Sequence, residues 1–262
     1  MVPNVIINGK EISMYVFAAL AGFLLLLLVV YKLAKSKGLD EIIMLITTLW
    51  GAVGILIGGH IMYGFTQLKL LGRVLANIGK QDFSIIIRGF MLVFGGSVFY
   101  GGLIGALLAG FIYLRKKKVT ITDYTDISAV GIPLFHFFGR IGCFLSGCCY
   151  GVECSVGFVY HYSPVEAANG VRRFPVQLVE AAVNLLLFAV LFYLVKKGIA
   201  KGKILNVYLF AYPVCRFILE YFRGDEYRGF IMGLSTSQFV SVLLIAANAG
   251  YLVWEKNKKA NK

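Results

Sequence analysis

Arg140 stands in the middle of the run 133–151, PLFHFFGRIGCFLSGCCYG, among apolar side chains and between Gly139 and Gly142. A guanidinium at bilayer depth costs roughly 3 kcal/mol on insertion scales, so such a residue faces a cavity or a partner, or else snorkels to the interface. A second polar set follows: Tyr212, Arg216, Glu220 and Arg223 are spaced by four, four and three, which predicts one face of a helix. The Arg–Glu pair either lowers the cost of insertion alone or holds a cationic site for an anionic headgroup. Two arginines on separate apolar runs favour the second reading, because the planar guanidinium fork matches phosphate. Arg140, Arg216 and Glu220 are thus the first candidates for chemistry.

Three further groups could join them. Tyr100 precedes Gly101 and Gly102, a small-residue patch that serves close helix packing or lets a substrate approach the backbone. His60 follows two glycines inside the run 42–65 and is either a hydrogen-bonded packing residue or a base. Cysteines stand at 143, 148, 149, 154 and 215. They lack the CxxC pair that zinc sites usually show. The expectation is small packing thiols with no metal and no cofactor, a disulfide within 143–154 and a metal site being the alternatives.

The elements that position these groups are membrane helices. The 262 residues are 59% hydrophobic and only 15% charged, with a mean hydropathy of +0.79. A soluble domain would carry roughly 25% charged residues. The composition therefore predicts an all-α integral membrane protein. Apolar runs cover about 13–31, 42–65, 90–114, 127–147, 176–196, 204–222 and 233–254. The run 127–147 is the weakest, since Gly131, Pro133, Gly139 and Arg140 interrupt it. The first run is long enough to span, so it reads as a retained helix and not a removable signal peptide.

The net charge of +13 is gathered in short clusters after every second run: Lys32, Lys35 and Lys37; residues 115–118; Lys196, Lys197, Lys201 and Lys203; Lys256, Lys258, Lys259 and Lys262. Such clusters are topology signals and not a nucleic-acid-binding face, so no nucleic-acid partner is expected. Their alternation predicts seven transmembrane helices, with the N-terminus outside and the C-terminus in the cytoplasm. Residues 66–89, with Lys69, Arg73, Lys80 and Arg88, predict an amphipathic segment in the interface. Residues 151–175 predict a small extracytoplasmic cap in which GFVYHYS alternates like a strand. No repeat or linker marks a second domain, so residues 1–262 are expected to form a single polytopic membrane domain, as a monomer.

Three segments, GRIGCFLSGCCYG, RRFPVQLVEA at 172–181 and YPVCRFILEYFRGD at 212–225, resemble the bacterial phosphatidylglycerol–prolipoprotein diacylglyceryl transferases. The resemblance covers nearly the whole chain. Gly139, Arg140, Gly142, Phe144 and Gly151 keep their places in the first segment, and Pro175, Gln177, Leu178 and Glu180 in the second. Tyr212, Arg216, Glu220 and Arg223 match in the third, and Tyr15 sits where the family has a functional tyrosine. The resemblance implies seven spans in the bacterial cytoplasmic membrane. It also implies transfer of diacylglyceryl from phosphatidylglycerol, or a similar anionic phospholipid, to a prolipoprotein cysteine, with release of glycerol phosphate.

By the same resemblance, Arg140 and Arg216 hold the headgroup and Glu220 orients Arg216. Tyr15 and Tyr212 line the site, with Gly139, Cys143, Gly151 and Arg223 beside the substrate and Gly101 and Gly102 leaving it room. Three positions depart from the pattern: Tyr100 replaces the family's histidine, Cys143 its asparagine and His60 an arginine. A free phenol is a poor base near neutral pH, so Tyr100 is expected to orient substrate while His60 titrates in the better range. Two alternatives stand beside this reading: a paralogue with another acceptor, and a non-catalytic protein that binds anionic lipid.

Overall fold

Apolar stretches of this length form helices because a helix satisfies its own backbone polar groups, the condition for crossing hydrocarbon. The computed structural model describes residues 3–96, 98–225 and 230–260, without the side chains of Phe99, Tyr100 and Phe230. A hairpin of β1 (Asn4–Ile7) and β2 (Lys10–Ser13) leads into α1 (Met14–Ser36) and α2 (Glu41–Thr66). Then come α3 (Leu68–Ala76), α4 (Phe83–Val93), α5 (Phe99–Lys116) and α6 (Ile121–Ser146). Strands β3 (Glu153–Val159) and β4 (Arg172–Arg173) precede α7 (Val176–Lys197) and α8 (Ile204–Leu219). A last short hairpin, β5 (Phe230–Ile231) and β6 (Leu234–Ser235), opens α9 (Thr236–Ala260).

Among the described residues six helices are long and apolar enough to cross a membrane: α1, α2, α6, α7, α8 with its extension to Phe222, and α9. Their burial pattern is inverted relative to a soluble protein. Leu24, Leu186 and Val253 are exposed, whereas Gln177, Glu180 and Asn184 are buried on α7. Apolar side chains facing outward and polar ones facing inward suit a lipid solvent. The chain is a helical integral membrane protein that passes the bilayer several times.

Contacts group it into two compact units, Ala34–Tyr124 and Met1–Leu33 with Thr125–Lys262. In the first, Asp40 caps α2 by accepting from the N–H groups of Ile42 and Ile43, both at 2.9 Å. Gly54 and Gly58 of α2 face Gly101 and Gly105 of α5, and a Cβ on any of the four would collide with the facing backbone. This is small-residue helix packing, driven by close backbone approach. The expected single run 90–114 is two helices: α4 stops at Val93 and α5 starts at Phe99. The break at Gly95 and Gly96 holds a side chain of α2, since the carbonyl oxygens of Phe94 and Gly96 each lie 2.8 Å from His60 Nδ1.

In the second unit α1 and α6 interlock through glycines. A Cβ on Gly22 would strike Phe138, on Gly131 it would strike Leu26, and on Gly142 it would strike Tyr15. The run expected to be interrupted is therefore one 26-residue helix with Pro133 inside it. Its glycines are contact points, and membrane helices tolerate an internal proline because local adjustment satisfies the freed carbonyl. Asp126 accepts from the N–H groups of Gly202 and Ile204 and so fixes the start of α8. Asn206 donates to Asn248 Oδ1 at 2.7 Å, joining α8 to α9. Ser235 and Gln238 form a reciprocal capping box that starts α9.

Between α6 and α7 lies a small polar-edged lobe with Tyr150, Tyr160 and Ala168 at its centre. The expected strand at 157–163 begins earlier, at Glu153, and ends at Val159. Pairing with Arg172 and Arg173 sets that register, and Tyr160 turns into the lobe's core instead of continuing the strand.

Candidate active site

Four helices of the second unit carry charge or hydroxyl to one buried point. Glu180 is in the second turn of α7 and is 1% exposed. Its Oε1 lies 2.9 Å from Arg140 Nη2 on α6 and accepts from the Tyr212 hydroxyl of α8 at 3.1 Å. Its Oε2 accepts from Arg216 Nη1 at 3.4 Å. Arg216 Nη2 also reaches Glu220 Oε2, at 2.7 Å, and donates to the Ser237 hydroxyl at the start of α9, at 3.0 Å. Two guanidinium groups and two carboxylates thus form one buried chain, the state in which a charge can be tolerated inside a bundle.

That chain leaves capacity at one end. Among the described residues, Arg140 Nε is buried and has no hydrogen-bond partner. A buried donor left unpaired costs roughly 1–3 kcal/mol, more when charged, so this N–H asks for an acceptor. Tyr15 of α1 packs over Gly142, and its hydroxyl lies about where a Cβ on Gly139 would make ordinary contact. Around Glu180 the ring of Tyr212 is stacked on Tyr208 with centroids 5.5 Å apart and lies 4.9 Å from His136.

The structure brings together Arg140, Arg216, Glu220 and Tyr212, with Tyr15 and Gly139 on the Arg140 side. Arg223 is a different case. The predicted helical stripe ends before it, because α8 stops at Leu219 and a short 3-10 turn covers Glu220–Phe222. Arg223 is extended, pairs with Gly151 through the backbone and holds Asp225 with Nε at 2.7 Å from Oδ1. Gly151 permits this crossing, since a Cβ there would collide with the Phe174 carbonyl. His60, Gly101 and Gly102 belong to the other unit, and the side chain of Tyr100 lies outside the described residues.

Cys143 ends up in a cluster. The sulfurs of Cys143, Cys148 and Cys149 all lie within 4.8 Å of one another, and all five cysteines are free thiols. The spacing raises a metal site only as an alternative; the chain brings the three together by folding back through Gly147 at φ 71° and Cys149 at φ 54°. Hydrogen bonds from Cys143 and Cys148 hold the Cys149 thiol well below the ordinary range, against the effect of burial and with help from the charges of Arg223 and Arg140. These three are the described residues that could hold a metal ion.

Sequence reasoning assigned no role to Glu180, although it is a lone carboxylate within an apolar run, which is itself a signal. It also passed over His136, four residues and about one helical turn before Arg140. Ser237 and Gln177 carry no such signal, because hydroxyl and amide groups are common at helix starts.

Comparison with known proteins accords with this geometry. The family model described as "Prolipoprotein diacylglyceryl transferase" matches residues 4–254. A Clostridium perfringens protein named phosphatidylglycerol–prolipoprotein diacylglyceryl transferase 2 is 32% identical over 254 residues, 96% of this chain and 93% of its own length. The Chlorobaculum tepidum phosphatidylglycerol–prolipoprotein diacylglyceryl transferase is 34% identical over 222 residues, 81% of this chain and 74% of its own. The Clostridium tetani protein of the same name is 29% identical over 242 residues, 90% of each chain. With its buried arginine pair gathered on one carboxylate and a match that runs almost from end to end, this chain belongs to the prolipoprotein diacylglyceryl transferase family.

Proposed function

We propose that this chain transfers the diacylglyceryl group of phosphatidylglycerol to the cysteine thiol of a prolipoprotein. In that reaction the sulfur forms a bond to the glyceryl carbon while the bond from that carbon to the phosphate oxygen breaks. The electron pair leaves with glycerol phosphate, so negative charge grows on the departing group. Preorganised donors aimed at that charge lower the barrier, typically by 10²–10³-fold per donor.

The observation that carries the reading is the pair Arg140 and Arg216 held on Glu180, with Arg140 Nε buried and unpartnered. In this proposal the lipid phosphate is the missing acceptor. Glu180 and Glu220 fix the two guanidinium groups without neutralising every N–H, and Tyr212 fixes Glu180. Tyr15, Gly139 and Gly151 flank the donor lipid, and Arg223, held by Asp225, keeps positive potential at the end of α8. His60 is assigned the proton-accepting role and Tyr100, with Gly101 and Gly102, the orienting of the glyceryl group.

Seven spans complete the proposal. The seventh is α5, whose 18 residues extend about 27 Å. The basic clusters at the C-terminal ends of α1, α5, α7 and α9 support a cytoplasmic position for those ends. The N-terminus and the lobe at 151–175 then lie outside the bacterial cytoplasmic membrane, where the acceptor emerges. The protein acts as a monomer, without nucleic acid.

The deciding experiment incubates purified protein with isotopically labelled phosphatidylglycerol and a synthetic lipobox peptide. A peptide heavier by one diacylglyceryl group, together with labelled glycerol phosphate, is expected. Headgroup release without peptide modification would replace the acceptor assignment, and bound but unaltered lipid would remove the transferase assignment.

A further inference from the structure

We propose that Cys143, Cys148 and Cys149 form a three-sulfur site for a zinc-class cation whose fourth position takes the acceptor thiol as a thiolate. This rests on the reading above, in which the acceptor is a thiol.

The geometry is that of a cradle. In a tetrahedral site with metal–sulfur bonds of about 2.3 Å, neighbouring sulfurs are about 3.8 Å apart. The three sulfurs here already lie within 4.8 Å of one another, so small side-chain rotations would close the set. The backbone under them is built for it. Cys148 N–H bonds to Cys143 O at 3.2 Å, and Gln177 Nε2 donates to Cys148 O at 2.8 Å. Cys149 adopts φ 54°, a left-handed conformation uncommon for a residue with a side chain. That turn brings the third sulfur back over the end of α6.

The ligand type selects the ion. Thiolates are soft donors that prefer zinc and related ions over magnesium or calcium. Three protein ligands with one open position is the arrangement of catalytic zinc, whereas structural zinc is closed by four. A fourth cysteine ligand from within the chain is not at hand: Cys154 and Cys215 do not belong to the cluster. Three thiolates around a divalent cation carry one net negative charge.

Position links the cradle to the proposed phosphate clamp. Cys143 follows Arg140 by three residues on α6, about 4.5 Å along the axis. Gln177, which holds the Cys148 carbonyl, precedes Glu180 by three residues on α7. The sulfur site is therefore about one helical turn from Arg140 on α6, and the Gln177 that supports it is one turn from Glu180 on α7. A coordinating thiol is deprotonated on binding. Its proton passes to the base assigned above as it takes the fourth position. The sulfur lone pair then forms the bond to the glyceryl carbon as the carbon–oxygen bond to phosphate breaks, and that electron pair leaves with glycerol phosphate.

Cobalt(II) is the probe. Detergent-purified protein, stripped with chelator under reducing conditions, is titrated with cobalt(II) and followed by its thiolate charge-transfer and visible bands. One equivalent with tetrahedral bands is expected, lost in Cys148→Ser and Cys149→Ser and kept in Cys154→Ser and Cys215→Ser. A lipobox peptide should shift the visible bands of the wild-type protein, and the same peptide with serine for cysteine should not. The peptide measurement needs no variant, so a folding defect does not confound it. Absence of a saturable cobalt band, a band unchanged in both serine variants, or bands indifferent to the peptide thiol would each overturn the proposal. The transfer assay separates the two readings. Full thioether formation by the stripped protein would defeat the metal site and leave the transferase standing. A peptide-responsive cobalt site in a protein that makes no thioether, even with zinc restored, would do the reverse.

Discussion

Arg140 and Glu180 sit on different membrane helices and meet at 2.9 Å, with the carboxylate 1% exposed. The same carboxylate is 3.4 Å from Arg216, so one anion organises two cations. Removing one member of a buried ion pair costs about 3–5 kcal/mol because the survivor is stranded in low dielectric.

Glu180→Gln tests that relationship. The amide keeps the shape and can still accept from Tyr212, yet it leaves the buried ion network, among the described residues, with Glu220 as its remaining carboxylate. We expect a fall in detergent-solubilised thermal stability, with transferase activity reduced by about 10²-fold or more. A variant as stable and active as the parent would show that Glu180 does not hold the arginines.

Tyr212→Phe removes a single hydrogen bond, to Glu180 Oε1, while its ring keeps the stack on Tyr208. A neutral donor to a charged acceptor contributes about 1.5–3 kcal/mol. Turnover should drop by roughly ten- to hundredfold, with the affinity for phosphatidylglycerol little changed, as measured by initial rates over a range of lipid mole fractions. A large rise in the apparent KM with unaltered kcat would instead place the hydroxyl on the lipid.

The intramembrane arginines were legible because charge inside an apolar run is costly and rarely idle. Their shared partner was not. Glu180 meets Arg140 and Arg216 across helix–helix contacts, and spacing along the chain carries no information about such pairs. Periodicity also overran its element: Arg223 continues the stripe in sequence, but the helix stops at Leu219. In α6, Gly131 and Gly142 read as breaks when they are contact points for α1. The three-sulfur cluster was hidden because a left-handed turn at Cys149 makes it. Besides the lone carboxylate of Glu180, another local signal was present and unread: Asn8-Gly9, a favoured hairpin dipeptide, joins β1 to β2 with φ of 50° and 74°.

Gly54 should not accept a larger side chain, since its Cβ position is occupied by the backbone of Gly105. Gly54→Leu is expected to destabilise the α2–α5 pair by about 1–3 kcal/mol or more, the cost of overpacking. Gly51, on the same helix, has open space at its Cβ position and serves as the control. Limited proteolysis in detergent would compare Gly54→Leu with Gly51→Leu, and equal protection in both would remove the close-packing account.

The proposed topology is open to a direct check. Reporter fusions after Gly157 and after Lys262 should report opposite compartments, the first outside and the second cytoplasmic. The same compartment for both would mean an even number of crossings between them in place of the three that α7, α8 and α9 supply, and the seven-span arrangement would fall.

The last prediction separates charge from geometry at the two arginines. Arg140 reaches Glu180 through Nη2 and has no partner for Nε among the described residues, while Arg216 divides its two terminal nitrogens among Glu180, Glu220 and Ser237. Lysine preserves the positive charge at either place but offers a compact ammonium in place of a planar fork. At position 140 it could still pair with Glu180, and the site would lose the second N–H aimed at phosphate. We therefore expect Arg140→Lys to remain folded, with thermal stability near that of the parent, while kcat falls by about 10²–10³-fold. At position 216 a single ammonium cannot serve Glu180, Glu220 and Ser237 in their present geometry, so Arg216→Lys should lose both stability and activity. Thermal unfolding in detergent and initial rates on labelled phosphatidylglycerol give the two readouts. If both variants turn over lipid like the parent, the arginine pair is a structural ion network and the phosphate lies elsewhere. If Arg140→Lys loses stability as severely as Arg216→Lys, Arg140 belongs to the scaffold and its unpaired Nε is not the phosphate donor.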